Sequence, residues 1–302
     1  MVEPEPDGAR RGWRAVLTQA ALEARDTPRT AYAVLERRAT VATVGLLVAL
    51  AAAAWWWTVD NARGMGDMTL GIAGVGSAMP YHMSALLFLS MWLTMMVAMM
   101  FPTIAPIVLL HRMVLRRRGE SPVVSVAFAA GYLVAWTTAG LVPLLALLAF
   151  RDVTDGSAWV RWAGGGVLVA AGLYQFTRWK EACARACRTP LTFLATHDFG
   201  RGARGSFRTG VSHGLYCLGC CWALMAVLFV VGLMNLAWMA GIAVVFLAEK
   251  HWRRGAGLAK VVGVGLTVLG VAVLAHPDLL RTVSGQHSEQ MMMAPVHSLG
   301  KG

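Results

Sequence analysis

Cys217, Cys220 and Cys221 lie within one short segment, and His213 stands four positions before the first of them. At about 100° per helical residue, His213 falls at roughly −40°, Cys220 at roughly −60° and Cys221 at roughly +40° from Cys217, so the four share one face. Thiols and imidazole are soft donors, and no carboxylate follows in the same stretch until Glu249. Such a face suits Cu(I), suits Zn(II) less well, and does not suit Ca²⁺ or Mg²⁺. One free cysteine is as often a small buried hydrophobe as a reactive group. Three so closely spaced behind a histidine read as metal or redox chemistry, while Gly210, Gly214 and Gly219 read as points of close helix packing. His213 and Cys221 would be about 12 Å apart along a straight helix, more than one ion spans. Either the glycines break the helix or partial sites form a relay, and the relay is the expectation taken forward.

The other two cysteines, Cys183 and Cys187, are spaced i, i+4, which puts both sulfurs on one helical face within reach of a single ion. Arg178, Lys180, Arg185 and Arg188 surround them and are expected to favour the thiolate, the metal-binding form. Their four-residue step is not the Cys-x-x-Cys of thioredoxin-like enzymes or zinc ribbons. A thioether stripe, Met91, Met95 and Met99, runs at i, i+4, i+8 in a methionine-rich stretch. Methionine fills core gaps, but thioethers also bind Cu(I). Pro102 and Pro106 follow, and each is expected to kink the helix or free a carbonyl. Met65, Met68, Met79, His82 and Met83, and then His287, Met291, Met292, Met293 and His297, form a further Met/His set. Thioethers and imidazoles survive oxidising surroundings in which thiolates pair as disulfides, so these donors suit an outward face.

The elements that must position these groups are apolar. A hydrophobic content of 57% with 14% charged residues and a mean hydropathy of +0.57 leaves too little polar surface for a soluble globule. The expected fold is an all-α, polytopic transmembrane bundle of about seven spans, near 39–59, 82–110, 123–150, 158–179, 209–231, 234–250 and 258–276. The fifth and sixth are separated only by Gly232 and Leu233. Of the 27 Lys and Arg residues, 22 fall on one side of this arrangement, which predicts the N-terminus in the cytoplasm and the C-terminus outside. The net charge of +11 is therefore a topology signal, and no nucleic-acid partner is expected. The expected organisation is a solvated cytoplasmic arm over 1–38, an amphipathic turn near Gly12 to Ala24 being the lesser alternative, a helical domain over 39–276 with a cytoplasmic loop at 180–208, and an external disordered tail over 277–302. No cleavable signal peptide is apparent in the polar, proline-containing start. Trp55, Trp56 and Trp57 suit an interface belt. Glu249 and Lys250 are expected to form an interfacial ion pair. The preponderance of Arg over Lys, with abundant Ala, Gly and Val, points to a bacterial inner membrane.

Three blocks are familiar: Met91 through Pro102; Tyr174-Gln175 through Lys180 to Cys183, Cys187, Arg188 and Pro190; and His213 through Trp222, continued by Leu224-Met225. Together they resemble a bacterial family of predicted metal-binding integral membrane proteins, over roughly Tyr81 to Lys250. The resemblance implies membrane integration and metal binding and carries no established reaction. The expected metal donors are thus His213, Cys217, Cys220, Cys221, Cys183, Cys187, Met91, Met95 and Met99. Function is expected to be that of a soft-metal carrier or chaperone for Cu(I), with zinc the weaker candidate, lipid as solvent, and a metalloprotein as recipient. A transmembrane thiol-disulfide carrier and an assembly scaffold are the alternatives. No hydrolase constellation is present, carboxylates are almost absent from the spans, and no enzymatic activity is expected.

Overall fold

The computed structural model describes residues 37–62, 85–121, 123–149, 158–196, 201–232, 235–276 and Leu279. Among them all regular structure is helical. In chain order the helices are α1 (Arg37–Ala62), α2 (Ala85–Arg117), α3 (Val124–Ala149), α4 (Ala158–Tyr174), α5 (Arg178–Arg188), α6 (Pro190–Thr196), α7 (Gly202–Val231), α8 (Leu236–His251) and α9 (Gly255–Ala275). The chain packs as two units, Met1–Leu47 and Val48–Gly302. Of the first, only the opening turns of α1 are described, and everything below concerns the second. The solvated arm with its alternative amphipathic turn near Gly12 to Ala24, the outward Met/His set and, Leu279 apart, the tail after His276 lie outside the described residues.

Five helices, α1, α2, α3, α7 and α9, are long and apolar enough to cross a membrane by length and composition. The segments expected as the fourth and sixth spans are helical but shorter, at 17 and 16 residues. α4 ends in a turn at Gln175 and Phe176, after which Thr177 caps α5 by accepting a hydrogen bond from the Lys180 amide. α8 starts at a cap on Asn235, whose side chain accepts from the Trp238 amide, just past Gly232 at φ +106°. That positive φ is one an L side chain rarely adopts, and it ends α7 where the sequence placed a break. The segment 180–208, expected as a connecting loop, is itself mostly helical, holding α5, α6 and the start of α7.

α2 remains one helix through Pro102 and Pro106. Proline at 102 has no N–H for the carbonyl of Ala98, and the indole Nε1 of Trp55 donates to that carbonyl instead at 3.1 Å. Trp55 thus binds α1 to α2, whereas its neighbours Trp56 and Trp57 are exposed. The centre of the unit is α7. It packs on α3 and α5, while α4 lies on α9, and α2 lies on α3 and α8. Phe128, Tyr132 and Trp136 of α3 and Val227 and Leu228 of α7 are fully buried.

Candidate functional site: a thiol cluster

Close approach of α3 to α7 comes from glycine. A Cβ at Gly210 would collide with the carbonyl oxygen of Phe128, and one at Gly214 would lie 2.7 Å from the Ala135 methyl. With these side chains absent, α3 reaches the donor face of α7, and the Tyr132 hydroxyl meets Cys217 Sγ at 3.2 Å. α7 is unbroken across Gly210, Gly214 and Gly219, so the helix-breaking option for the donor set is removed. Cys217, Cys220 and Cys221 are all buried. The sulfurs of Cys220 and Cys221 are 3.3 Å apart.

α5 brings the other cysteines to the same place. Its Lys180 is buried and pairs with Glu249 of α8, at 3.0 Å to Oε1 and 2.9 Å to Oε2, and also bonds Gln175 Oε1. Arg188 Nε donates to the Glu249 backbone carbonyl at 2.8 Å. Held in this way, α5 lies on α7. Cys187 Sγ comes to 3.9 Å from Cys220 Sγ, and Cys183 Sγ would be 2.6 Å from a Cβ at Gly219. At that glycine the Tyr174 hydroxyl also donates to the exposed carbonyl, at 2.6 Å. All five thiols are free, and two groups that are separate in sequence form one cluster.

The basic residues of α5 do not act on its thiols as expected. Lys180 and Arg188 are engaged with Glu249, and Arg178 and Arg185 are exposed. Burial, with the Cys220 thiol beside it, pushes Cys183 up from the ordinary thiol range. Cys187 is raised further, first by its contacts with the Cys217 and Cys220 thiols and then by burial.

Glu249 and Lys250 do not pair with each other. Both are buried and they face different neighbours. Glu249 holds α5, while Lys250 Nζ contacts Cys217 Sγ at 3.2 Å, Thr103 Oγ1 at 3.1 Å and Met100 Sδ at 3.7 Å. The expected interfacial ion pair is thereby replaced by two buried contacts of separate purpose.

His213 is buried in an aromatic surround. Its ring centroid is 5.3 Å from Phe193, 6.2 Å from Phe128 and 6.2 Å from Tyr132, and its Nδ1 has no hydrogen-bond partner. The ring of His111 of α2 lies 4.9 Å from that of Phe128, and its Nε2 meets Ser206 Oγ at 3.2 Å. In the thioether stripe Met95 and Met99 are buried and Met91 is partly exposed. Met100, one position off the stripe, touches the cluster's surroundings through Lys250. Lys250, Tyr132, Met100 and the carboxylate of Glu249 are the groups that sequence reasoning did not place at the site, and Lys180 was placed there in a different role. A buried lysine beside a buried glutamate in an apolar helix was the available signal.

Among the described residues, no group of three or more His, Cys, Asp or Glu side chains has the spacing of a closed metal site. A soft ion of low coordination number does not need one. With metal–sulfur bonds of about 2.3 Å, two sulfurs sharing one ion stand no more than roughly 4.6 Å apart, and Cys187 and Cys220 are at 3.9 Å. Fold and site together define an apolar all-α protein with a buried soft-donor cluster. The chain matches the PpoB2 family, a copper chaperone family, over residues 89–273. That is well over half of its length, and the chain belongs to this family. The match includes all three sequence blocks and bears out the metal-binding part of their resemblance. No curated protein and no solved structure matches the chain.

Proposed function

We propose that this protein is a membrane-integral Cu(I) carrier, in which the thiols of α5 and α7 hold the ion and pass it between overlapping pairs. The observation that carries the reading is the meeting of Cys187 and Cys220 across two helices, next to Cys221. A two-coordinate ion moves from one sulfur pair to the next through a three-coordinate intermediate, so closely spaced donors allow transfer without release to water. Cys183 and Cys187 form the α5 end of such a path. Cys220, Cys221 and Cys217 form its centre, and His213 with Met91, Met95 and Met99 continues it. The five long apolar helices support integration in a membrane, and the distribution of Lys and Arg supports seven spans with the N-terminus inside and the C-terminus outside. Copper is cargo here, and a recipient metalloprotein follows from a chaperone's role.

The test is anaerobic Cu(I) titration of the purified full chain. At least one ion per chain is expected, with ultraviolet thiolate-to-copper absorption that disappears in a Cys217→Ser, Cys220→Ser, Cys221→Ser variant of unchanged helicity. Binding below one ion per chain, or equal binding by the triple variant, overturns the reading. Labelling of Cys183 in intact cells by an impermeant thiol reagent would overturn the topology.

The thiol-disulfide carrier gains one observation of its own, since Cys187 and Cys220 stand on different helices. Mild oxidation distinguishes the two. A carrier of electrons forms the Cys187–Cys220 disulfide reversibly during turnover, whereas a copper carrier loses its ion on oxidation.

A further inference from the structure

We propose that Lys250 is the counter-charge of the loaded thiol cluster and sets its preference for a monovalent over a divalent ion. This rests on the copper reading above and adds the residue that makes the site selective. Lys250 is 9% exposed, and its ammonium finds acceptors in Cys217 Sγ, Thr103 Oγ1 and Met100 Sδ. Three acceptors match the three donors of an ammonium. The Phe246 ring adds a contact 5.9 Å away. Among the described residues no carboxylate pairs with Lys250, because the adjacent Glu249 pairs with Lys180. A buried cation must be compensated. Of its three partners only the cysteine can bear negative charge, so the ammonium and the thiol cluster compensate one another.

Charge counting then gives the preference. A monovalent ion bound by two thiolates is a complex of charge minus one, which the Lys250 ammonium brings to zero. A divalent ion on the same two thiolates is a neutral complex, which leaves the ammonium itself as an uncompensated buried charge. The site reaches neutrality only by recruiting a third thiolate, and with it the closed coordination that the described residues do not present. In surroundings of low dielectric one uncompensated charge outweighs small differences in bond strength. Thr103 and Met100 hold the ammonium on the cluster side of α8, and Tyr132 holds Cys217 from the opposite helix.

The experiment measures Cu(I) and Zn(II) affinities separately, by anaerobic competition with a chelator for each metal. It uses the detergent-solubilised full chain and its Lys250→Met, Lys250→Gln and Lys250→Arg variants. The neutral variants are expected to weaken Cu(I) by roughly 10- to 100-fold while Zn(II) is unchanged or tightened, and Lys250→Arg is expected to keep the wild-type ratio. Equal weakening of both metals assigns Lys250 a structural role and overturns the proposal, as does an unchanged ratio in both neutral variants. The Gln variant, polar and of similar bulk, keeps the test valid if the Met variant misfolds. Absence of Cu(I) binding by the wild type is a separate result, because it removes the copper site itself.

Discussion

α7 and α5 present the same functional group from opposite kinds of helix. α7 is a 30-residue apolar helix whose three thiols are fixed by its own periodicity and by glycines that admit α3. α5 has 11 residues, with charged groups along much of its length. Its thiols reach the cluster because a buried salt bridge to α8 holds the helix in place. Donors on α7 therefore depend on packing, which tolerates changes of charge elsewhere. Donors on α5 depend on a buried ion pair, with the Arg188 bond to the Glu249 carbonyl beside it, and a buried pair is strongly destabilised when a single partner is removed. Of the two helices, α5 is the one whose position a single change of charge can disturb.

The sharpest way to break this contrast is Glu249→Gln. It leaves the Lys180 ammonium buried without a carboxylate and is expected to cost about 3–5 kcal/mol. Because the pair joins α5 to α8, maleimide labelling of Cys183 and Cys187 should accelerate well ahead of labelling at Cys217, Cys220 and Cys221. Equal acceleration at all five thiols would mean that the two helices open together. Next in size is Gly210→Val, whose side chain must push against the backbone of α3 at Phe128. A loss of about 1–3 kcal/mol is expected, and here the α7 thiols should gain reactivity, which mass-spectrometric mapping of the labelled cysteines would show.

Smaller effects sharpen the contrast. Cys187→Ser should lower Cu(I) affinity by about tenfold, or about 1.4 kcal/mol, and the α7 triple-serine change should abolish binding. Affinities that fall equally would make α5 an equal partner. The pH dependence of thiol labelling gives another measure. Since the thiolate is the reactive form, raised pKa values at Cys183 and Cys187 predict slow labelling at neutral pH that climbs only above the ordinary thiol range. The Glu249→Gln variant, with α5 loosened, should move that climb to lower pH. Least of all, Gly219→Ala places a methyl 2.6 Å from Cys183 Sγ. The sulfur ends a flexible side chain and can turn aside, so the melting temperature should hardly change while the labelling rate of Cys183 rises.

The donor face of α7 was legible in the sequence because a helix fixes it locally: spacing alone puts His213, Cys217, Cys220 and Cys221 on one side. Composition and Gly232 were enough for the all-α class and the break before α8. The meeting of Cys187 with Cys220 was not legible. It depends on α5 folding back on α7, a contact between segments that no local period encodes. The pairing of Glu249 with Lys250 failed for a reason already in helix geometry, since consecutive residues point about 100° apart and do not face each other. Lys250 therefore turns to Cys217 while Glu249 turns to Lys180. The methionine stripe followed the period correctly, but the contact fell to Met100, because neighbouring helices decide which side of α2 meets the lysine.

The reversal at Gly232 has a consequence for how the chain can vary. Cys217 lies 14 residues before the end of α7 at Val231 and Lys250 lies 14 after the start of α8 at Leu236, so at about 1.5 Å per residue each arm of the hairpin measures roughly 21 Å. Cation and sulfur meet because these lengths are matched, with the turn as the common origin. Removing one residue from α8 between Asn235 and Glu249 would advance everything beyond it by about 100° and 1.5 Å. Such a deletion would leave every donor present and the apolar character of the helix intact, yet aim the ammonium elsewhere. The hairpin acts as a caliper, and single-residue insertions or deletions in its arms should be less tolerated than most substitutions along them.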